Sequence, residues 1–569
     1  MTFRSSAEVA VVDRRWWALG ALVTSMLVLG FDLTILNVAL PAITDDLGAS
    51  TGEAQWTADA YVVAFAALML PAGLAGDRFG RRRTLLAGLG IFLAGSVLGA
   101  FADDVATVIA ARAVMGVGGA FVMPLALSVL PTLFTEPAER TKAVGAVSAA
   151  SALGMPLGPI LGGWLLDHYW WGSIFLLNVP MVALGIAACL LLLPESRDPA
   201  APRVDPVATA ATVLGLGALV FGVIEAPVRG WGDPLVVGAF ALGAAAVAGL
   251  VGRERRSVRP MLDLALLTDR AFLLPALTAT LVTLVASGLL FTLPLQLQTV
   301  LGYDALGTGV RMLPLMLGPV AAAKTVPPLA ARFGPYAVMS AGLVVLAFAA
   351  FLGSRGGPDD GYGFVALWLS VLSLGFGFAI VPAMDTALGS LPTDRAGSGS
   401  GLLLTLRQAG AAVGVAVFGS LLAAVFAARL DTSRLPEAVA GRAEESVVGA
   451  HRVAAELGDP GLARAADGAF SRGMSLTLLV CGIAALATAL AVAALAPARK
   501  GTASKGTARE DTAWKGTARE AGREAAYRTA PDPGPDSGPD RSPAGADPAG
   551  RPGLEGRTAV DTPGTDAPQ

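Results

Sequence analysis

Fourteen apolar runs, each long enough to cross a lipid bilayer, succeed one another between Trp17 and Leu495. A spanning helix takes about 20 residues, and inside hydrocarbon every backbone polar group must be satisfied within the protein. The chain is therefore expected to fold as an all-α polytopic membrane protein. The runs fall at 17–40, 54–74, 84–102, 105–130, 142–165, 172–193, 207–225, 234–251, 271–297, 307–326, 335–354, 363–388, 400–427 and 473–495. Composition agrees. Of 569 residues 54% are hydrophobic and only 15% charged, with a mean hydropathy of +0.63, whereas soluble domains are about one quarter charged.

The net charge of −3 says little about partners, because a membrane protein sorts charge by side. One set of alternate connections holds Arg78, Arg81, Arg82, Arg83, Arg140, Lys142, Arg197, Arg203, Arg253, Arg255, Arg256, Arg259, Arg332 and Arg395. The opposite short connections hold little beyond Arg229 and Arg355. The excess of basic residues on cytoplasmic loops then places both termini in the cytoplasm, in keeping with an even number of spans. The connection 429–472 faces outward. High Ala, Gly and Arg with little Lys points to a bacterial genome rich in G and C, and so to a bacterial cytoplasmic membrane.

Cys189 and Cys481 lie inside apolar runs and read as small packing residues, not as a disulfide. His168 and His451 are too few for a ligand cluster, and no metal or cofactor is expected. No Gly-x-x-x-x-Gly-Lys-Ser/Thr loop is present, so ATP is not the expected energy source. The tail 498–569 repeats Lys505-Gly506-Thr507-Ala508-Arg509-Glu510 at 515–520 and then turns rich in Pro, Gly and Asp. It cannot bury enough apolar surface to fold and is expected to be disordered.

Inside the first run stands a carboxylate, in the order Phe31-Asp32-Leu33-Thr34-Ile35-Leu36-Asn37-Val38-Ala39-Leu40-Pro41. An aspartate there costs a few kcal/mol to insert, and such groups mark functional sites. The simplest use is to carry a proton; the alternative is a buried carboxylate that only pairs or caps. At about 1.5 Å per residue, Asp32 lies roughly 12 Å, Arg112 about 10 Å and Asp59 about 7 Å below the outer ends of their runs. Arg112 beside Asp32 would hold the carboxylate charged, and separating them would favour protonation.

After the second run the order is Gly73-Leu74-Ala75-Gly76-Asp77-Arg78-Phe79-Gly80-Arg81-Arg82-Arg83. Glycines allow a tight turn, and Asp77 with the arginines can bond helix ends together. A weaker echo, Leu329-Ala330-Ala331-Arg332-Phe333-Gly334, follows the tenth run with Ala331 at the place of Asp77. The fourth run holds Arg112-Ala113-Val114-Met115-Gly116-Val117-Gly118-Gly119. In the fifth, Gly154, Gly158 and Gly162 recur every fourth residue and form one groove for a neighbouring helix, while Pro156 and Pro159 remove donors and bend it.

On these motifs the chain resembles the major facilitator superfamily, and within it the fourteen-span drug:proton antiporter family, through residue 497. The resemblance implies two six-helix halves, 1–195 and 263–497, with two extra helices in the linker 196–262 and a cytoplasmic tail at 498–569. It implies export of amphipathic organic compounds or antibiotics by alternating access, driven by inward proton flow. Asp32, Arg112 and Asp59 become the proton-coupling candidates. Gly73, Asp77, Arg78, Gly80, Arg81, Gly154, Gly158, Pro159 and Gly162 become the conformational motifs, and Asn37, Asp385 and Glu225 the candidates for solute contact. Met115 stands where the family often has glutamine, and Gly172-Ser173 where Trp-Arg often precedes Ile174–Pro180.

Alternatives stay open at several positions. Asp385 either pairs with Arg407 or meets a cationic solute, and Glu225 is either interfacial or solute-contacting. Arg311 and Lys324 can snorkel to the interfaces, and Trp16, Trp17, Trp170, Trp171 and Trp231 form interfacial belts. A transporter dedicated to one endogenous metabolite or self-made antibiotic is the second functional reading. A membrane enzyme, such as an acyltransferase, is the third, but it needs a surface cluster of His, Asp or Ser that the sequence does not display. The expected partners are a small organic solute, protons and lipid, with no nucleic acid, acting on a monomer.

Overall fold

The computed structural model describes residues 6–134, 136–197, 204–257, 264–358, 360–391, 396–433 and 435–497. The tail 498–569 and the basic residues Arg203, Arg259 and Arg395 lie outside the described residues. The helices are α1 (Ser6–Leu47), α2 (Thr51–Phe79), α3 (Arg81–Ala100), α4 (Val105–Leu133), α5 (Pro137–His168) and α6 (Ser173–Leu192). They continue with α7 (Pro206–Arg229), α8 (Pro234–Arg256), α9 (Arg270–Leu295), α10 (Ala305–Arg311), α11 (Leu317–Phe333) and α12 (Pro335–Gly353). Last come α13 (Tyr362–Gly389), α14 (Ala396–Arg429), α15 (Glu437–Glu445), α16 (Val447–Leu457) and α17 (Pro460–Leu495). Among the described residues 13 helical segments are long and apolar enough to cross a membrane. The expected fifth span, α5, is a 32-residue helix but is not one of them.

Local chemistry starts these helices where the apolar runs begin. Asp205-Pro206, Asp233-Pro234 and Asp459-Pro460 each set an aspartate cap before a proline at the first helical position. The carboxylate takes amide protons that no carbonyl can reach, and proline spends no amide there. Ser50 and Glu53 close a capping box at the start of α2. Arg253 hydrogen-bonds Asp205, tying the ends of α7 and α8 and holding that carboxyl below its usual range.

The expected tenth span is broken into α10, a 3-10 turn at Leu313–Met316, and α11. Pro314 has no amide to offer at this point. The Gly318 amide donates to Ser373 Oγ at 2.8 Å, and that hydroxyl donates to Leu315 O at 2.6 Å, so α13 splints the break. The last span starts thirteen residues before its expected Gly473, at Pro460.

Two apolar cores result. One joins α1 to α6 and takes in residues of α9, α14 and α17 near the 429–472 connection, and the other joins α9, α12, α13, α14 and α17 together with Val38 of α1. The two parts are built alike. A β-carbon added at Gly154 would sit 2.7 Å from the backbone of Leu27 and Phe31, so α5 lies directly on α1. Gly410 and Gly414 bring α14 onto α9 in the same way, against Thr280 and Leu284. Gly80, between α2 and α3, has φ +115°, and Gly334, between α11 and α12, has φ +91°, so both turns need glycine.

The inserted pair is not peripheral to both cores. Helix α7 packs Val220 and Ile224 against Val63 of α2 and Ala412 and Ala416 of α14, and Ser420 Oγ donates to Val223 O. Helix α8 rests on α7 and is the least buried of the 13 spanning segments.

The end of the bundle opposite the Arg81–Arg83 cluster is capped. The connection 429–472 contains α15 and α16, whose Ala443, Val447, Ala450 and Val453 join the first core. Arg452 pairs with Asp45 of α1, and Thr51 Oγ1 of α2 donates to Glu445 O. At this cap end α5 and α10 are also in backbone contact. A β-carbon on Gly163 would meet Ala305 and Leu306, and one on Gly309 would meet Pro159. Gln298, in a π-helical turn (Gln296–Val300) after α9, donates to Val38 O of α1 at 2.8 Å.

Candidate functional site

Asp32 and Arg112 meet in the middle of the α1–α6 core. They are 1% and 2% exposed, and Arg112 Nη1 lies 2.9 Å from Asp32 Oδ2. Asn178 of α6 donates to the other carboxylate oxygen at 3.0 Å. The guanidinium lies over the Tyr61 ring of α2, 4.4 Å from its centroid. Four helices thus converge on one charge pair.

Glycine makes that convergence possible. A β-carbon on Gly116 would lie 2.3 Å from Tyr61 O, and one on Gly119 would lie 2.8 Å from the Tyr61 hydroxyl. The arrangement is incompletely satisfied: Arg112 Nε, the Tyr61 hydroxyl and Asn178 Oδ1 are buried without hydrogen-bond partners. A buried ion pair gains little net stability, but losing one member leaves an uncompensated charge.

Of the other first-run residues, Thr34 ties α1 to α5. Thr34 Oγ1 lies 2.9 Å from Met155 O of α5. Pro159, four residues on, has no amide for that carbonyl, so the threonine supplies the missing donor. Asn37 Nδ2 turns back to Leu33 O of its own helix at 3.3 Å and is 7% exposed. Gly158 faces Thr34 and the Phe31 carbonyl, and Gly162 faces Ile35, so the groove expected on α5 is filled by α1.

Asp59 stands apart from the pair. It is fully buried, and neither carboxylate oxygen has a partner. Gln55 and Val63, one turn to either side, lie toward α14 and α7: Gln55 donates to Ala416 O at 3.1 Å, and Val63 packs with Val220 and Ala412. Asp59 shares that face by helical spacing, at the seam where α2, α7 and α14 meet. The Tyr61–Arg112 contact is on another side of α2.

The glycine–arginine loop is held inside the first core. Gly73 faces Pro124 and Gly76 faces Leu125, which draws α2 onto α4. Asp77 accepts from Arg81 at 2.8 Å. Glu195, beyond α6, accepts from the amides of Arg82 and Arg83, and the Ser196 carbonyl accepts from Arg81. Arg78 is exposed.

Several expectations are corrected. Asp385 and Arg407 do not pair. Arg407 turns to Thr283 Oγ1 at 3.4 Å and Met384 Sδ at 3.7 Å, while Asp385 is exposed. Glu225 is engaged by Arg229 one turn away, at 2.6 Å, which fits either of its two readings. Arg311 does not snorkel; it lies over the rings of Tyr303 and Tyr362. Trp171 is buried and donates to Asp46 at 2.7 Å, whereas Trp16, Trp17, Trp170 and Trp231 are exposed.

Sequence reasoning passed over Asn178, Tyr61 and Glu195. The signal for Asn178 was present, since an amide inside an apolar run needs a buried partner. Tyr61 and Glu195 had no such mark, because a tyrosine within a span and a loop glutamate are ordinary.

The Major Facilitator Superfamily model matches residues 22–415. Over 483 residues the chain is 34% identical to the multidrug efflux pump LfrA of Mycolicibacterium smegmatis, covering 84% of this chain and 96% of that protein. It is 32% identical over 492 residues to a tetracenomycin C resistance and export protein of Streptomyces glaucescens, covering 84% and 90%. Among solved structures, a bacterial homolog of the human lysosomal transporter Spinster, inward-facing and unoccupied, matches with a TM-score of 0.58. The two are 19% identical over 84% of this chain and 97% of that one, a likeness of fold.

Proposed function

The chain belongs to the Major Facilitator Superfamily, and from that membership we propose that it exports amphipathic organic compounds, antibiotics among them, in exchange for protons. It is a transporter and not an enzyme. Two relatives, a multidrug efflux pump and an antibiotic resistance and export protein, support the cargo class. The second of them also supports the narrower reading, an exporter dedicated to one self-made antibiotic.

The buried Asp32–Arg112 pair carries the proton-coupling reading. Arg112 at 2.9 Å and Asn178 at 3.0 Å bond the two oxygens of the Asp32 carboxyl group. A proton reaching it cancels the attraction and frees the guanidinium. The four helices that meet there then lose their common charge contact, and the two six-helix parts, 1–195 and 263–497, rock about the α5–α10 and α2–α14 seams. Release of the proton on the other side restores the pair. Asp59, without a partner and set at the α2–α7–α14 seam, is a second proton-carrying carboxylate, placed where movement between the parts is felt.

Basic loops at the Arg81–Arg83 end support a cytoplasmic position for that end. The capped end is then the outer one, and the conformation is closed to the outside. Each charge driven through 100 mV supplies about 2.3 kcal/mol, enough for modest uphill export.

Everted membrane vesicles test the scheme. Wild-type protein should dissipate a pH gradient when an exported compound is added, and Asp32→Asn, at equal protein level, should not. Retention of uphill export by Asp32→Asn excludes Asp32 as the coupling group.

A further inference from the structure

A second charge within the spans is not used by the proton scheme. Arg407 lies within α14, eleven residues past Ala396, inside the part of the chain that crosses the membrane. An ionised group at such depth normally pairs with an opposite charge or faces a water-filled passage. Arg407 has two side-chain partners, the Thr283 hydroxyl on α9 and the Met384 sulfur on α13. Neither is an anion. Asp385, beside Met384 in sequence, is exposed and is not bonded to it.

The direction of the guanidinium follows from the stripe of α9 beneath it. Thr283 and Leu290 are seven residues apart, two turns, and so share one face of the helix. Leu290 lines a crevice with Met155, Pro156 and Pro159 of α5, across the seam between the two parts of the molecule. Thr283 therefore belongs to the face that α9 shows to the first six helices, about 10 Å nearer the basic end. Arg407, Thr283 and Met384 are each only partly buried, and the guanidinium is bonded to a residue of that face.

We propose that Arg407 is an anion-recognising subsite for the cargo, its guanidinium taking a carboxylate or equivalent anionic oxygen of an amphipathic solute. The proposal rests on the export reading and refines it. The planar fork of arginine suits a carboxylate, and such a charge-assisted bond is strong away from bulk water. Met384 and Leu290 give the apolar remainder of the solute a surface to lie on. Cargo selection then includes an anionic group, not only cationic ones.

The test uses two dyes that differ at one group: rhodamine 110, which carries a free carboxylate, and rhodamine 123, its methyl ester. Equilibrium binding to the full chain in lipid nanodiscs is read by fluorescence anisotropy at neutral pH. Wild-type protein should prefer the carboxylate dye. Arg407→Gln should weaken rhodamine 110 by about tenfold and rhodamine 123 by less than about twofold, and Arg407→Lys should keep part of the preference. Equal wild-type affinity for the two dyes, failure to bind the carboxylate dye, or equal losses for both on substitution overturns the subsite. If Arg407→Gln does not fold, the wild-type preference and Arg407→Lys still decide. Proton-driven uptake of rhodamine 123 into everted vesicles is scored separately. Its absence counts against the export reading, and its presence with no carboxylate preference counts against the subsite alone.

Discussion

At the scale of single residues the molecule is governed by how few charges it buries and how each is answered. Asp32 is met by a guanidinium, an amide and, through Arg112, an aromatic ring. Removing one member should therefore cost more than removing both. Arg112→Gln alone is expected to destabilise the protein by about 3–5 kcal/mol, because a buried ion pair loses one of its members. Adding Asp32→Asn should recover part of that loss. Thermal unfolding of the single and double variants in one detergent measures the difference, and additive losses would show that the two side chains do not interact. Asp59 obeys a different rule. With no counter-charge bonded to it, Asp59→Asn should leave thermal stability unchanged or raised while slowing pH-gradient-driven export.

At the scale of helices, proline and glycine work as a matched pair on α5. Proline removes the donor for Met155 O and glycine lets α1 come close enough for Thr34 to replace it. Thr34→Val should cost about 1–2 kcal/mol by leaving that carbonyl unpaired. Pro159→Ala, which restores an amide in register, should rescue Thr34→Val in a melting experiment; no rescue would mean the threonine acts elsewhere. Gly158→Ala should be worse than either, since its β-carbon would fall 2.7 Å from the Phe31 carbonyl. Overpacking of this sort typically costs about 1–3 kcal/mol, and reduced yield of folded protein in membranes is the readout. The broken α10–α11 span follows the same logic, with Ser373 supplying what Pro314 and the 3-10 turn leave undone.

At the scale of the whole molecule, the two helical parts are clasped at the capped end, where the Leu306 amide faces the Asp167 carboxylate at 3.4 Å. If export requires that end to open, joining it must stop turnover. Asp167→Cys with Leu306→Cys, bridged by a short bis-methanethiosulfonate that forms a disulfide to each cysteine, should arrest export, and reduction of those disulfides should restore it. The two native cysteines are buried and should not interfere. Unchanged export after complete bridging would refute opening at this seam. The approximate places of most spans, the basic end and the presence of an acid and a base at like depth were legible in the sequence, because each follows from the length of a run or the identity of one residue. Rotation of each helix about its own axis was not. Lipid and protein interior are both apolar, so hydrophobic periodicity does not mark the inward face as it does in a water-soluble helix. For that reason only tertiary structure could place Asn178 beside Asp32, set Asp59 at another seam, part Arg407 from Asp385 and fold 429–472 into a cap.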